Sequence, residues 1–495
     1  KSNIAIKPFV TAIEIELSSP PEIIEHPAPE QLIKDVSRAL MNKYSLPVQL
    51  DLAQFQSLAG NGWKATLALG NNRIIAILPP GSPLIGYAAD IGTTKIAGYL
   101  VDLRTGRTLA SGGVTNPQIA YGEDVINRIR FIDENPGEAG LLHKILVHAL
   151  NDLLENLCQQ INIRCDQVID SVMVGNTVMH HLLADLPVHS LGTSPYTTPA
   201  LKEMLFAAGE VGIKIAPGGY MYLPPNIAGF VGGDHIATLL STNAKNLGKT
   251  VLVVDIGTNT EISLIHEDVH LACSCASGPA FEGAHISEGM RAIPGAIERL
   301  FIEQDVVHVQ TIQNKPAVGI CGSWILDAVA ELRKEKIIDR RGSFNKTDRR
   351  VLLVKGRPEF MLVDAKHNDL GRDITLGRRD VNQIQLAKAA IRSGIEVLLK
   401  EARIDAEEIQ LVLLAGAFGT YLSIASAIKL GMFPPIPIER FQQIGNAAGK
   451  GARDMLVSTQ MRAEGERMPA QITYVELASV KDYMDIYMQA IGFDE

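Results

Sequence analysis

The sequence predicts an α/β fold in which a duplicated core is preceded by a small α/β domain. Three observations lead there. Asp90-Ile91-Gly92-Thr93 and Asp255-Ile256-Gly257-Thr258 are one motif written twice. Each copy lies between short apolar runs, 85–89 and 96–101 for the first, 251–254 and 262–265 for the second, so each unit reads strand, turn, strand. Pro79-Pro80-Gly81-Ser82-Pro83 breaks the chain just ahead of the first copy. At average residue frequencies, a chance repeat of the motif has odds on the order of one in a hundred.

Taken in chain order, residues 9–17 form an extended apolar stretch. Ser18-Ser19-Pro20-Pro21 and His26-Pro27-Ala28-Pro29 read as a linker. Residues 30–44 have helical spacing, with Leu32, Ile33, Val36 and Leu40 on one face. Segments 63–69 and 74–78, joined by Gly70-Asn71-Asn72, read as a hairpin. These make the leading domain, 1–83. The first half of the core is 84–248, with helices predicted at 122–132 and 138–160. The second half is 249–495, with a strand-rich insertion at 351–364 and a C-terminal strand and helix. Ser171 to Thr177 reads as a strand running into a helix, Leu411 to Gly419 as a strand ending in a small-residue turn, and Gly445 to Ala452 as a small-residue helix.

The chemistry of the repeated turn is specific. Glycine lets the backbone approach a phosphate closely, and turn N–H groups with Thr hydroxyls donate to its oxygens. An Asp beside them holds Mg2+ directly or through water. Two such turns can grip the tail of one ATP from both sides. Asp90 and Asp255 are therefore the candidate catalytic and metal residues, and Gly92, Thr93, Thr94, Lys95, Gly257, Thr258, Asn259 and Thr260 the candidate phosphate contacts. Glu123, Asp124, Asp234 and Glu261 are candidates to orient the attacking water, since phosphoryl transfer needs mainly positioning and charge compensation.

Bulk properties exclude other classes. The 495 residues are 46% apolar and 20% charged, which is ordinary globular composition, and the net charge of −9 argues against a nucleic-acid surface. The stretch 333–350 is locally basic and reads as a solvated loop or a docking face for an acidic partner. Five cysteines are too few and too odd for a disulfide framework. Without a signal segment or an apolar run of membrane length, a cytoplasmic protein is expected. A chain opening on Lys1 is expected to be a fragment of something longer.

The ordered set of elements resembles the phosphate-1 and phosphate-2 loops, inter-lobe helices and adenosine motif of the superfamily that contains actin, the Hsp70 chaperones and the sugar and acetate kinases. That implies a ribonuclease-H-like ATPase core. In it Gly416, Ala417 and Gly419 would face adenine or ribose, Gly322 and Ser323 would line the nucleotide cleft, and Phe418 would belong to the core. Four longer segments resemble the reductive activators of corrinoid proteins. They are Tyr87-Ala88-Ala89-Asp90 through Gly106, Asn116-Pro117-Gln118 with Tyr121 to Ile126, Ala276-Ser277-Gly278-Pro279-Ala280-Phe281-Glu282-Gly283, and Gly319-Ile320-Cys321-Gly322-Ser323 with the helical 326–332.

This resemblance implies ATP-dependent return of a corrinoid protein's cobalt from Co(II) to Co(I) in a methyltransferase system, by a homodimer. The family carries an N-terminal [2Fe–2S] domain with C-x4or5-C-x2-C spacing. Cys158, Cys165, Cys273, Cys275 and Cys321 do not fit that spacing. The low-potential electron donor is then a separate protein or a domain removed upstream. Gly278-Pro279 fixes a turn expected to expose Ser274 or Ser277 to the corrinoid. Adjacent His180 and His181 point about 100° apart on a helix and cannot share a metal, so one core and one interface histidine are expected. The alternative is a small-molecule kinase of the same fold with Asp234 as base. An actin-like or chaperone-like module would need a polymerising or peptide-binding domain.

Overall fold

A computed structural model describes residues 4–17, 29–46, 48–71, 73–194, 196–283, 285–290, 293–304, 306–322, 325–419 and 422–494. Most of the expected linker (18–28), Asn72 of the hairpin turn and Ser323 lie outside them. The chain divides into two compact units, Lys1–Ser241 with Ala448–Pro469, and Thr242–Ala447 with Ala470–Glu495.

The first unit opens with β1 (Thr11–Glu16), α1 (Pro29–Tyr44), α2 (Leu52–Gly60), β2 (Lys64–Gly70) and β3 (Arg73–Leu78). The strands form an antiparallel sheet in the order β1-β2-β3. Val36, Leu40 and Leu58 from the helices bury against Ile15, Leu67 and Ile74. The predicted helix and hairpin are both present. Helix α2 was not foreseen. Its start is a capping box in which Gln54 N donates to Asp51 Oδ1 (2.7 Å) and Asp51 N to Gln54 Oε1 (3.1 Å).

The duplicated part follows. β4 (Ile85–Ile91), β5 (Lys95–Asp102) and β6 (Thr108–Thr115) form an antiparallel meander around the first repeat. Then come α3 (Val125–Glu134), α4 (Ala139–Gln160), β7 (Val168–Gly175), α5 (Thr177–Leu183), β8 (Met204–Ala207), α6 (Ala208–Val211), β9 (Tyr220–Leu223) and α7 (Gly233–Thr242). The sheet order is β6-β5-β4-β7-β9-β8, with β7 parallel to β4 and β9 parallel to β7. Leu142, Leu146, Leu150, Leu153 and Leu157 recur at helical spacing on α4 and bury in the same core as Tyr87, Ile96 and Leu100 of the sheet.

The second unit repeats the plan. β10 (Val251–Ile256), β11 (Thr260–His266) and β12 (Val269–Cys275) form the meander around the second repeat. An insertion supplies β13 (Gly289–Met290), β14 (Ala296–Glu303), β15 (Val306–Thr311), β16 (Gly319–Cys321), α8 (Ile325–Lys334), β17 (Val351–Val354), β18 (Arg357–Val363) and β19 (Ile374–Gly377). These strands make two small sheets, β13-β16-β14-β15 and β17-β18-β19. Then follow α9 (Arg378–Ala402), β20 (Leu411–Ala415), α10 (Gly416–Gly419), α11 (Ile424–Lys429) and β21 (Phe441–Gly445). The main sheet is ordered β21-β20-β10-β11-β12-β22, where β22 is Thr473–Tyr474, with β20 parallel to β10 and β21 parallel to β20.

After β21 the chain returns to the first unit through α12 (Ala447–Val457) and α13 (Thr459–Arg467), then re-enters the second as β22 (Thr473–Tyr474) and α14 (Tyr483–Ile491). The return is pinned by a buried ion pair: Arg462 Nη2 lies 2.6 Å from Asp170 Oδ2 on β7. Burial pushes the Asp170 carboxyl above its ordinary range, against the pull of Arg462. The Arg462 guanidinium also sits over the rings of Phe9 and Tyr222. No helix among the described residues is long and apolar enough to cross a membrane.

Candidate functional site

The first turn is built where β4 hands over to β5. Asp90 is the next-to-last residue of β4, opposite Ala97. A Cβ on Gly92 would sit 2.6 Å from the Lys95 carbonyl oxygen, so the turn closes only around glycine. Its carbonyls are taken by distant donors. Asn116 Nδ2 donates to Gly92 O (3.0 Å), Asn116 N to Thr94 O (2.9 Å), and Arg128 Nη2 to Thr93 O. Asn176 caps α5 by accepting from Met179 N (3.0 Å), and its Nδ2 donates to Thr93 Oγ1 (3.3 Å). Carbonyl oxygens held by protein donors do not repel an approaching anion, as a phosphate-binding turn requires. Thr93 is buried, Thr94 half-buried and Lys95 exposed.

The second turn is braced from nearby. Gly278 N donates to Thr258 O (2.9 Å) and Ser277 Oγ to Gly257 O (3.2 Å). Ser277 Oγ also meets Thr260 Oγ1 at 2.8 Å, and Gly257 N donates to Asn259 O (3.2 Å). Asp255 pairs in register with Glu261 on β11 and Ala415 on β20. Gly416 follows with φ of +88°, and a Cβ there would lie 2.3 Å from Ile256 O and 3.1 Å from Asp255 Oδ1. The small-residue turn after β20 is thus pressed against the end of β10 beside the second repeat. Gln443 Nε2 anchors it by donating to Gly419 O (2.6 Å) and Leu422 O (2.9 Å). Ala417 lies within the short helix α10. Phe418 is buried and stacked on Phe281 with ring centroids 4.9 Å apart, the core role expected of it. Gly322 is buried, its Cα 3.2 Å from where a Gly283 Cβ would stand.

Several expectations are corrected. Ser277 is not exposed by the Gly278-Pro279 turn. It is 5% accessible because its hydroxyl is drawn inward to the second repeat. Ser274 is half-buried, and its Oγ donates to Glu261 Oε1 (3.4 Å). Asp124 is the N-cap of α3, accepting from Asn127 N (2.7 Å) and Asn127 Nδ2 (2.8 Å), so its carboxylate is used structurally. Glu123 is exposed, Glu261 is buried, and Asp234 accepts from His235 N (2.8 Å) at the start of α7. His180 and His181 are both buried, so neither is an interface residue. His181 bonds Thr177 O and Thr198 Oγ1, and burial pushes His180 down to about 3. The basic stretch 333–350 is only partly solvated: Arg350 makes a bidentate pair with Asp348 and Lys334 binds Glu331.

Sequence reasoning assigned no role to Arg128, Asn116, Gln118 or Asn176. Arg128 is fully buried, and burial pushes its guanidinium down to about 10. The available signal was its position: it falls three residues after Val125 and next to Ile129, on the apolar face of α3.

A turn that closes only around glycine, as at Gly92, suits a group with phosphates. Of the cysteines, Cys158 and Cys165 neighbour each other in the first unit, while Cys273, Cys275 and Cys321 belong to the second. Among the described residues no group of three or more His, Cys, Asp or Glu is placed to hold a metal.

Comparison with known proteins gives consistent matches. The family described as the C-terminal domain of RACo, the ASKHA domain, matches residues 249–495, and the RACo middle region matches 85–246. The corrinoid activation enzyme RamQ of Eubacterium limosum is 33% identical over 439 residues, 86% of this chain and 74% of that protein. The [Co(II) methylated amine-specific corrinoid protein] reductase of Methanosarcina barkeri is 25% identical over 446 residues, 83% and 77% of the two. The solved structure of a reductive activator for corrinoid, iron–sulfur protein matches with a TM-score of 0.85 at 34% identity, covering 100% of this chain and 80% of that one.

Proposed function

This chain belongs to the family of reductive activators of corrinoid proteins, and we propose that it uses ATP to return the cobalt of a corrinoid protein from Co(II) to Co(I). The observation that carries this reading is the pair of D-I-G-T turns at equivalent strand junctions of two like sheets, each with its carbonyls turned into protein donors. Gly92, Thr93, Thr94, Gly257, Thr258, Asn259 and Thr260 bind the phosphates, with Lys95 reaching them from its exposed position. Asp90 and Asp255 hold Mg2+. Gly416, Ala417 and Gly419 admit adenosine, and at Gly416 no side chain fits beside Ile256 O. Gly322 lines the nucleotide pocket, and Asp234 or Glu123 orients water. In bounds, 1–83 is the small leading domain, 84–248 and 249–495 the two halves of the ATPase.

The energetic demand is modest. For one electron, 59 mV is about 1.4 kcal/mol, so a gap of roughly 200 mV asks for about 5 kcal/mol. ATP hydrolysis supplies that when it is coupled to a conformational step at the partner. The partner is the corrinoid protein of a methyltransferase system, the electron comes from a separate or upstream low-potential donor, and the chain works in the cytoplasm as a homodimer. The test is a purified Co(II)-corrinoid carrier with a low-potential reductant. The Co(I) absorption band should grow only when both ATP and this chain are present. Equal growth without ATP would end the proposal.

A further inference from the structure

The first unit contains two deeply buried arginines, and only one has a counter-ion among the described residues. Arg462 faces Asp170. Arg128 meets four neutral acceptors: Thr93 O through Nη2, Gln118 Oε1 (3.0 Å) and Met179 Sδ (3.2 Å) through Nη1, and Gly122 O (3.0 Å) through Nε. The carboxylate that acts on it, Asp124, makes no ion pair with it and spends its oxygens on Asn127. With an affinity for its proton near 10, Arg128 is charged at neutral pH. A buried charge without a partner is strongly unfavourable unless something else supplies the opposite sign.

We propose that the missing counter-ion is the ligand: Arg128 is a positioning residue whose charge is balanced by the phosphates bound at the first D-I-G-T turn. This rests on the reading of that turn as a phosphate site. The geometry suits the role. A trans peptide carries its C=O and N–H on opposite edges. Arg128 pulls on the oxygen of the Thr93–Thr94 peptide, so the N–H on the far edge is polarised toward an anion. The guanidinium works through the turn and need not touch the ligand. Its other bonds, to Gln118 and Gly122, tie the turn to the segment that carries Asn116, the second brace. A lysine would keep the charge but lose the fork that reaches all these acceptors.

The experiment compares ATP and AMP binding by calorimetry in the unaltered chain, Arg128→Met and Arg128→Lys. Arg128→Met should weaken ATP at least about tenfold, the scale of one lost charge-assisted contact, and leave AMP nearly unchanged. Arg128→Lys should recover part of the loss. The ATP deficit should persist at about 0.5 M salt, because a buried charge is little screened. A folded Arg128→Met that binds ATP as tightly as the unaltered chain would overturn the proposal. So would equal losses for ATP and AMP, which mark a merely structural role. Should Arg128→Met fail to fold, Arg128→Lys decides by the same ATP-against-AMP difference. If the unaltered chain binds no ATP, the phosphate reading itself fails. If it does and the variants match it, only the role of Arg128 fails.

Discussion

The two repeats carry the same four residues between equivalent strands, yet they are held in different ways. The first turn is braced by Asn116, which directly follows its own meander, and also by Arg128 and Asn176 from more remote segments, one of them a buried cation. The second is braced by Ser277 and Gly278, which directly follow its own meander. A duplicated motif thus preserves what the turn must do, which is to present a close backbone edge to an anion, and leaves open how it is supported. The first turn draws on the packing of its unit as well as on its own meander, through Arg128 and Asn176. The second is held by the connection that follows β12.

The equivalence of the turns is broken most directly at the carboxylates. Asp90→Ala and Asp255→Ala should each lower ATP turnover by more than about 100-fold, on the scale of a lost charge-stabilising group, with unchanged melting temperature. Full turnover in either variant would show that the two copies differ in function as well as in support. Next in size is the return segment that closes the first unit. Arg462→Met leaves Asp170 buried and unpaired, and should cost about 3 kcal/mol in denaturant titration. A cost near zero would mean that the first turn does not depend on its unit's packing in the way described.

The glycines sharpen the contrast. A Cβ at Gly92 meets Lys95 O at 2.6 Å, whereas at Gly257 the contact with Asn259 O is 3.0 Å. Gly92→Ala should therefore destabilise by about 2 kcal/mol and Gly257→Ala by about 1 kcal/mol, read as shifts in denaturation midpoint. Equal costs would remove the asymmetry. Ser277→Ala strips one hydroxyl shared among several partners and should cost about 1 kcal/mol.

A separate effect is on pH dependence. Burial pushes His180 down to about 3 in the first unit and His270 down to about 4 in the second. The unfolded chain protonates these rings below about 6.5 while the folded chain does not. Their contribution is then complete above about 6.5 and is lost as pH falls toward the folded values. The slope is at most about 1.4 kcal/mol per pH unit for each ring. His180→Gln and His270→Gln should each flatten the fall in melting temperature between pH 6.5 and 5. An unchanged slope in both would show that the rings titrate alike in the two states.

Much of the architecture was legible because it is local. The period of apolar residues marked the strands and helices on both sides of Asp90 and Asp255, and glycine marked the turns, since no other residue closes against Lys95 O or passes beside Ile256 O. Phe418 was legible as core for the same reason: a large apolar ring beside a buried strand has few other places to go. What the sequence alone could not decide depends on residues far apart in the chain. Ser277 precedes a turn motif that normally exposes its neighbours, and only the packing of β12 against β11 draws it inward to Gly257 and Thr260. Arg128 reads as one charge among several on a polar helix, until the fold brings Thr93, Gln118 and Met179 around it. The pairing of Arg462 with Asp170, and with it the return of 448–469 to the first unit, leaves no periodic trace in either segment. Turns and strands follow from backbone sterics and the spacing of apolar side chains, which each segment carries within itself. The choice of partner for a buried polar group is made by the whole fold, because it depends on which distant donors and acceptors burial leaves within reach.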